Sequence, residues 1–207
     1  MFRIICLIIG YFFGCLQTSY FMSRLNNVDL RKTGSGNLGT TNSVRAMGIK
    51  KGLIIFFADA LKATAAFFVC KGIFCDSGVG VIAGFYGGAG AILGHDFPFF
   101  LKFKGGKGIA AMLGMMLGVF PFPSLVVYII ALAILLSGYV SVTSLSLSVL
   151  IPLTLYLWHY PAEVVAVTSV LAALAFFQHR SNIKRLIKGE ESRFDIIGKL
   201  KPKKKEM

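Results

Sequence analysis

The sequence is poor in charge, and above all in acidic residues. Only 15% of its 207 residues are charged, and nine Asp and Glu stand against 22 Lys and Arg. A soluble domain usually has about 25% charged and about 45–50% apolar residues. This chain is 56% hydrophobic, with a mean hydropathy of +0.73. Because its apolar residues come in long runs, we exclude a soluble domain and predict an all-α integral membrane protein.

The sequence also lacks the usual signs of a metal site, a disulfide framework or a cleaved leader. Its four cysteines form no CxxC pair and no Cys/His cluster with metal-ligand spacing, so we expect them to be apolar filler. The first 23 residues resemble a signal peptide, but no A-x-A-like cleavage site follows them. The apolar run is long enough to cross a bilayer, and we expect it to be retained as the first span.

The net charge of +13 would suggest a nucleic-acid partner if the protein were soluble. In this chain the Lys and Arg residues lie between apolar runs and in the C-terminal tail. That distribution is typical of cytoplasmic segments beside anionic lipid. We therefore expect the lipid bilayer, and no nucleic acid, as a partner of these charges.

The apolar runs predict a bundle of transmembrane helices. We place spans at about Ile4–Met22, Gly52–Cys70, Val79–Leu93 and Ala162–Phe177, with a long uncharged stretch from Ile109 to Trp158. Basic residues put the first two long loops and the tail in the cytoplasm and the N-terminus outside. We expect one transmembrane domain over residues 1–200 and a basic cytoplasmic tail over residues 201–207.

The number of spans depends on the uncharged stretch. About 50 residues suit two ordinary spans or three short ones. Pro121 and Pro123 interrupt the stretch once, and Gly138 with the hydroxyl-rich segment Ser141–Ser148 interrupts it again. Because the second loop and the tail share a side, an even number of spans must connect them. We predict seven spans in total, with five as the alternative.

The first polar loop, residues 32–45, reads KTGSGNLGTTNSVR. Its glycines let backbone N–H groups close around an anion, and Ser35, Thr41 and Asn42 add side-chain donors. Arg45 supplies a planar fork for phosphate. The GxGxxG match is weak, since no strand precedes it, and the lysine of a phosphate-loop NTPase is missing. The alternative is a flexible polar linker.

The second polar loop, residues 94–108, reads GHDFPFFLKFKGGKG and opens an apolar helix. Helix N-termini bind anions, and Lys104 and Lys107 would strengthen that binding. Positive-inside charge is the alternative for these lysines. His95 could act as a base or as a phosphate donor, although a single histidine at a helix end is more often structural.

The third polar segment follows the last span. His179 and Asn182 are three residues apart, so they share a helix face at the membrane surface. After them, Lys188–Glu191 predicts a helix stop followed by solvated charge. The last basic residues, KPKKK, predict a tether to the lipid surface.

A few polar side chains lie inside predicted spans. Asp59 and Lys62 are three residues apart, and an intramembrane ion pair is costly unless it is neutralised or used. Mutual neutralisation and support of the first loop both fit this pair. Ser141, Thr143 and Ser144 would bond to their own helix backbone or line the same polar cavity.

The three loops, with the third read as HRSNIKRLIKGEE over residues 179–191, resemble the signature motifs of the PlsY family. These are bacterial membrane acyltransferases that use acyl phosphate and glycerol 3-phosphate. The resemblance implies attack of the 1-hydroxyl on the acyl carbonyl, release of phosphate and formation of 1-acylglycerol 3-phosphate for phospholipid synthesis. It implies no cofactor, metal or acyl-CoA. It also implies a multi-pass protein of the bacterial inner membrane with a cytoplasmic active site, and the enzyme that makes acyl phosphate is a candidate partner.

The resemblance also implies roles for residues at the matching positions. The catalytic assignments are His95, Lys104, His179 and Asn182. The assignments to phosphate and substrate binding are Ser35, Gly36, Asn37, Thr41, Asn42, Arg45, Lys107, Ser141 and Ser144. The His and Asp spacing of soluble-type acyltransferases is absent, and the family is thought to rely on positioning and on the substrate phosphate as base.

Two other functions fit parts of the sequence. A transporter of anionic metabolites would also need spans and basic loops, but it should show inverted repeats and ionisable groups near the bilayer midplane. A lipid-binding scaffold would need only the basic tail. Neither accounts for three polar motifs in this order.

Overall fold

The computed structural model describes residues 1–119 and 121–194, and within these ranges it contains ten α-helices and no strand. The helices are α1 (Phe2–Gly14), α2 (Thr18–Leu25), α3 (Thr40–Met47), α4 (Ile49–Ile73), α5 (Gly80–Asp96), α6 (Ile109–Met116), α7 (Phe122–Leu135), α8 (Val140–Leu157), α9 (Ala162–Gln178) and α10 (Arg180–Ile187). The predicted basic tail, residues 201–207, and the end of the predicted domain lie outside the described residues. The all-α prediction is confirmed.

Among the described helices, three stretches are long and apolar enough to cross a membrane. They are Phe2–Leu25, Ile49–Ile73 and Val140–Leu157. Helices α9 and α10 make a fourth if this pair, bent by 59°, counts as one span. Helices α6 and α7 are apolar but shorter than the roughly 20 residues that a spanning helix needs. Length and composition therefore identify three or four crossings, fewer than the predicted seven.

The uncharged stretch divides into α6, α7 and α8, with breaks beside Pro121 and Gly138 as predicted. The hydroxyl-rich segment Ser141–Ser148 is not a break, because it lies inside α8. The hydroxyl groups of Thr143, Ser144 and Ser148 donate to carbonyl groups one turn earlier, as Ser144 does to Val140 O at 2.9 Å. Such bonds satisfy hydroxyl groups within the helix that carries them.

Small residues set a close helix contact between α1 and α5. A methyl group added to Gly10 would lie 1.9 Å from the carbonyl oxygen of Gly87, and one on Gly14 would lie 2.1 Å from that of Ala91. On α5, a methyl group added to Gly94 would lie 2.1 Å from the carbonyl oxygen of Tyr11 in the α1 backbone. Small residues let helix backbones approach closely where lipid provides no hydrophobic driving force.

Helices α4 to α9 all contribute buried residues to the main apolar core. Phe67 on α4 is fully buried, and its ring fills the space left by Gly84 on α5 and Gly118 after α6. Met112 and Met115 of α6 pack into the same cluster. This core holds the end of α5 and the start of α6 in place, and the second polar loop connects them.

The two ends of the bundle differ in character. At one end, Arg3 of α1 pairs with Glu163 of α9, and Tyr86 donates to the same carboxylate at 2.7 Å. The connections after α4 and α8 line one cavity there, through Gly78 and Trp158. The opposite end carries all three polar motifs, at residues 32–45, 94–108 and 179–191, and is called the motif face below.

Candidate active site

The first loop is organised around Asn42. The side chain of Asn42 is buried, and its amide nitrogen donates to the carbonyl oxygens of Leu30 and Thr33 at 3.0 Å and of Asn37 at 3.1 Å. Its amide oxygen accepts from the backbone N–H of Ser35 at 3.0 Å. Asn42 therefore shapes the loop from within, and its direct contact with a phosphate stays a prediction.

Two glycines of this loop have backbone conformations that favour glycine. Gly34 and Gly36 have φ values of 57° and 69°. A methyl group on Gly34 would also lie 2.4 Å from the Asn42 side-chain oxygen. The loop then enters α3, a short helix that the polar run did not predict. Ser35 and Arg45, at either end of this turn, are exposed to solvent.

The second loop is fastened to the end of α5 by its backbone. Gly105 N–H donates to Asp96 O at 2.9 Å, and Gly106 N–H donates to His95 O at 3.0 Å. A methyl group on Gly106 would lie 1.9 Å from His95 Nε2, so the buried imidazole packs directly beneath the loop. Lys104 lies at the exposed tip of this loop.

The start of α6 lies against a carboxylate of the chain itself. Gly108, with φ of 71°, precedes the helix, and a methyl group on it would lie 3.1 Å from Oδ1 of the buried Asp96. Oδ1 of Asp96 has no hydrogen-bond partner within the described part of the chain, so its side chain lies at this helix start without being bonded to it. The sequence predicted an open anion site here and gave Asp96 no role. A phosphate arriving at this loop would meet the lysine side chains first.

The third segment joins the second loop through Lys107, whose ammonium donates to Asn182 Oδ1. The Asn182 amide nitrogen in turn donates to Glu191 Oε1 at 2.8 Å, and Arg185 Nε donates to Glu191 Oε2 at 2.6 Å. Ser141 of α8 lies beside the same carboxylate. The Glu191 side chain is only 7% exposed. The prediction of solvated charge at Glu191 is therefore wrong, because side chains of α10 and α8 enclose the carboxylate.

The electrostatic environment of this cluster makes the Lys107 ammonium easier to deprotonate than usual. Burial, together with the positive charge of Arg185, lowers the pKa of Lys107 to about 8. Burial opposes ionisation of Glu191, but the donors on Asn182 and Arg185 outweigh it and lower the pKa of that carboxyl group. At neutral pH the cluster therefore holds a charged lysine beside a charged glutamate.

His179 lies at the bend between α9 and α10. Its ring is buried, and Nδ1 lies 2.8 Å from the carbonyl oxygen of Ala175. A carbonyl can only accept, so Nδ1 carries the proton and Nε2 is the free acceptor. This arrangement fixes the ring of His179 against the end of α9.

The segment after α10 reaches back to the first loop. Arg45 Nη2 donates to Ser192 Oγ at 2.6 Å, and Phe194 N–H donates to Gly138 O at 2.8 Å. The first and second loops are also connected, since Leu38 and Leu101 pack in one buried apolar cluster. The three motifs, far apart in sequence, thus meet at the motif face through direct contacts.

The predicted site residues differ in their exposure. The exposed ones are Ser35, Arg45 and Lys104, and the half-buried ones are Gly36, Asn37, Thr41, Lys107 and Asn182. The buried ones are Asn42, His95, Ser141, Ser144 and His179. Exposed and half-buried residues can reach a ligand as they stand. The structure shows which contacts the buried residues make within the protein. Their roles toward a substrate stay predictions.

Sequence reasoning missed two features of this region. It gave Glu191, the last residue of the third motif, no contact in the site, and it did not connect Lys62 with His95, whose Nδ1 lies 2.9 Å from Lys62 Nζ. The pair Asp59–Lys62 was visible as an intramembrane ion pair, and its ammonium and carboxylate do lie 2.8 Å apart. Its position beneath the second loop needed the structure.

Comparisons with known proteins agree with this geometry. The family model described as glycerol-3-phosphate acyltransferase matches residues 4–189. The glycerol-3-phosphate acyltransferase of Thermosipho melanesiensis is 39% identical over 191 residues, covering 92% of each chain. That of Aquifex aeolicus is 39% identical over 189 residues, covering 90% of this chain and 96% of the relative.

Solved structures show the same architecture. The crystal structure of PlsY, an integral membrane glycerol 3-phosphate acyltransferase, in its glycerol 3-phosphate form superposes with a TM-score of 0.86. It is 35% identical and covers 95% of this chain and 97% of its own. The lysophosphatidic acid form gives a TM-score of 0.84 at 34% identity, covering 96% and 98%. By family model, sequence and structure, the chain belongs to the PlsY family of integral membrane glycerol-3-phosphate acyltransferases.

Proposed function

We propose that this protein transfers a fatty acyl group from acyl phosphate to the 1-hydroxyl of glycerol 3-phosphate. The hydroxyl oxygen bonds to the acyl carbon, the bond from that carbon to the phosphate oxygen breaks, and the hydroxyl proton leaves with a phosphate group. The products are 1-acylglycerol 3-phosphate and inorganic phosphate, which places the reaction in phospholipid synthesis. Acyl-CoA is not the donor in this proposal.

The observation that carries the proposal is the convergence of the three motifs on one face. Arg45 of the first motif contacts the segment after the third, and Lys107 of the second contacts Asn182 of the third. Lys104 is exposed beside them. Both proposed substrates carry phosphate, and charge-assisted donors from Arg and Lys are the strong contacts for that group. The bound PlsY relatives, named for glycerol 3-phosphate and lysophosphatidic acid, support the same chemistry.

The site residues have three roles in the proposed reaction. Arg45 and the donors of Ser35 and Thr41 bind the glycerol 3-phosphate. Lys104 neutralises the charge that develops on the departing phosphate, which is an electrostatic contribution to catalysis. His95 and His179 orient the loops that hold the substrates, since both rings are buried with one nitrogen already engaged. An activated acyl donor needs little beyond this positioning.

We further propose seven crossings, made by α1, α4, α5, α6, α7, α8 and α9, with the N-terminus outside. The contact of Arg3 with Glu163 supports this topology, because it joins the starts of α1 and α9 at one end of the bundle. The motif face, at the other end, carries most of the basic residues and would lie in the cytoplasm of a bacterial inner membrane. The acyl donor would reach it from the bilayer.

The decisive assay uses purified protein in lipid nanodiscs with acyl phosphate and glycerol 3-phosphate. We expect phosphate release that depends on both substrates, and a product acylated at the 1-position. Replacing acyl phosphate with acyl-CoA should give no product. Acylated product formed from acyl-CoA would contradict the proposed donor. No phosphate release that requires both substrates would contradict the proposed reaction and favour the transporter or the scaffold.

A second experiment tests the lysine of the second motif through its titration. Because the pKa of Lys107 is about 8, its ammonium is charged below that pH and loses its proton above it. We expect the KM for glycerol 3-phosphate to be flat near pH 7 and to rise as pH passes 8. In Lys107→Arg the guanidinium stays charged, so the rise should disappear from this range. Identical KM profiles in the two proteins would remove Lys107 from phosphate binding.

A further inference from the structure

The ammonium group of Lys62 is held in the interior by two hydrogen bonds and one ion pair. The residue is only 6% exposed, although it lies in the membrane-spanning helix α4. Its Nζ lies 2.8 Å from Asp59 Oδ1, 3.0 Å from Leu16 O and 2.9 Å from His95 Nδ1. The ammonium therefore makes two hydrogen bonds, to Leu16 O and His95 Nδ1, and one ion pair, with the Asp59 carboxylate.

These three partners come from three different places in the fold. Asp59 lies one turn earlier on α4, Leu16 lies in the break between α1 and α2, and His95 lies at the end of α5. Asp59 alone would neutralise the charge. The other two contacts neutralise nothing, but they connect α4 to both segments that lead into the polar motifs. Lys62 therefore does more than balance a carboxylate.

The contact with Lys62 also sets the proton on the His95 ring. An ammonium has no lone pair, so His95 Nδ1 must accept and the ring proton must be on Nε2. Nε2 faces the second loop at Gly106, where an added methyl group would lie 1.9 Å from it. Asp59 Oδ1, at 3.5 Å from Nδ1, lies on the same side as the ammonium.

The backbone of His95 is held as firmly as its ring. Gln17, in the break after α1, donates from Nε2 to His95 O at 2.5 Å, and Gly106 N–H donates to the same oxygen at 3.0 Å. Lys62 and Gln17 thus contact His95 on one side, and the second loop packs against its other side. Any tilt of the ring would move the loop that carries Lys104 at its tip.

We infer that Lys62 is a positioning residue for the proposed acyl transfer, on which this inference rests: by fixing His95 it fixes the loop that presents Lys104. The Asp59 carboxylate offsets the free-energy cost of burying the Lys62 ammonium. The contribution to the reaction is geometric, and small displacements of catalytic groups are costly in rate.

The test separates positioning from charge neutralisation with a paired substitution. Lys62→Met leaves the Asp59 carboxylate unpaired, so we expect a lower melting temperature and little activity. Asp59→Leu/Lys62→Met removes both charges, and replacing a buried ion pair with apolar residues is often neutral for stability. We expect the double variant to regain the wild-type melting temperature while kcat/KM stays about 10- to 100-fold low.

Lys71→Met, the same substitution near the other end of α4, is the matched control and should behave as wild type. Recovery of both stability and activity in the double variant would overturn the inference and reduce the pair to neutralisation. That outcome is distinct from failure of the proposed function, in which wild-type protein itself would show no acyl transfer from acyl phosphate.

A direct measurement of the ring covers the case in which the double variant does not fold. Nitrogen-15 NMR of wild-type protein labelled at histidine, with His95→Gln to assign the signal, reports which ring nitrogen carries the proton. We expect His95 to carry it on Nε2, and to lose this strict preference in Lys62→Met. A wild-type His95 protonated on Nδ1 would contradict the inference whatever the activity data show.

Discussion

Arg45→Ala should lower kcat/KM for glycerol 3-phosphate by about 10- to 150-fold in protein that still inserts and folds. This range corresponds to the loss of one charge-assisted hydrogen bond to phosphate, about 1.5–3 kcal/mol. The Arg45 side chain is exposed on α3, and its hydrogen bond goes to Ser192 Oγ. The guanidinium is therefore available to a ligand, and its removal opens no cavity in the core.

Two controls make the Arg45 result specific. Lys50→Ala removes another exposed cation at the same end of the bundle, so it measures the general effect of positive charge. Ser192→Ala removes only the bond that Arg45 makes within the protein. We expect near-normal kinetics in both, and partial activity in Arg45→Lys, which keeps the charge but loses the fork. Near-normal turnover in Arg45→Ala would remove this residue from the proposed pocket.

The helical architecture could be predicted because apolar runs are a local signal. A run of about 20 apolar residues has few stable structures in lipid other than a helix. Breaks at Pro121 and Gly138 were also visible, since both residue types interrupt helices for local backbone reasons. Helix α3 was not predicted, because Thr40–Met47 is short and mostly polar. It is stabilised by packing, for example of Val44 against Gly52 of α4.

The motifs could be found from residue types, but their internal contacts could not. The first loop was predicted to bind an anion from its glycines and donors, whereas the structure shows that Asn42 is the residue that shapes it. A donor that binds substrate and a donor that braces a loop are chemically alike. Only the positions of the acceptor carbonyls distinguish them, and these depend on the folded backbone.

Contacts between distant segments were the least predictable part of the site. Lys107 and Asn182 are 75 residues apart, and Lys62 and His95 are 33 apart. No periodicity relates such pairs, since periodicity reports neighbours on one helix. The Asp59–Lys62 pair was visible at its spacing of three. Its third partner, and hence its position beneath the second loop, was not.

The glycines of α1 and α5 likewise form contacts between distant segments, which periodicity could not predict. Gly14→Leu should prevent correct folding, or leave a small folded fraction with a much lower melting temperature. An added Cβ would lie 2.1 Å from the Ala91 carbonyl oxygen and 2.9 Å from its Cα. These are backbone atoms, which cannot rotate away, so α1 would have to move off α5.

The displacement of α1 would also reach the active site. Leu16 and Gln17 lie just after Cys15, the residue that follows Gly14, and they supply contacts to Lys62 and His95. Any folded fraction of Gly14→Leu should therefore be impaired in acyl transfer as well. Size-exclusion chromatography in detergent and thermal unfolding measure the fold, and phosphate release measures the activity.

Gly72→Leu is the matched control, because it makes the same substitution in a membrane helix at a site with open space. No atom lies within 4 Å of a Cβ added at Gly72, and the residue is exposed. Replacing a helical glycine with leucine there should stabilise α4 by up to about 1 kcal/mol. If Gly14→Leu and Gly72→Leu were equally stable and active, the close approach of α1 and α5 could not be what positions the break after α1. Opposite signs for the two substitutions would instead show that helix contact, rather than helix propensity, controls this region.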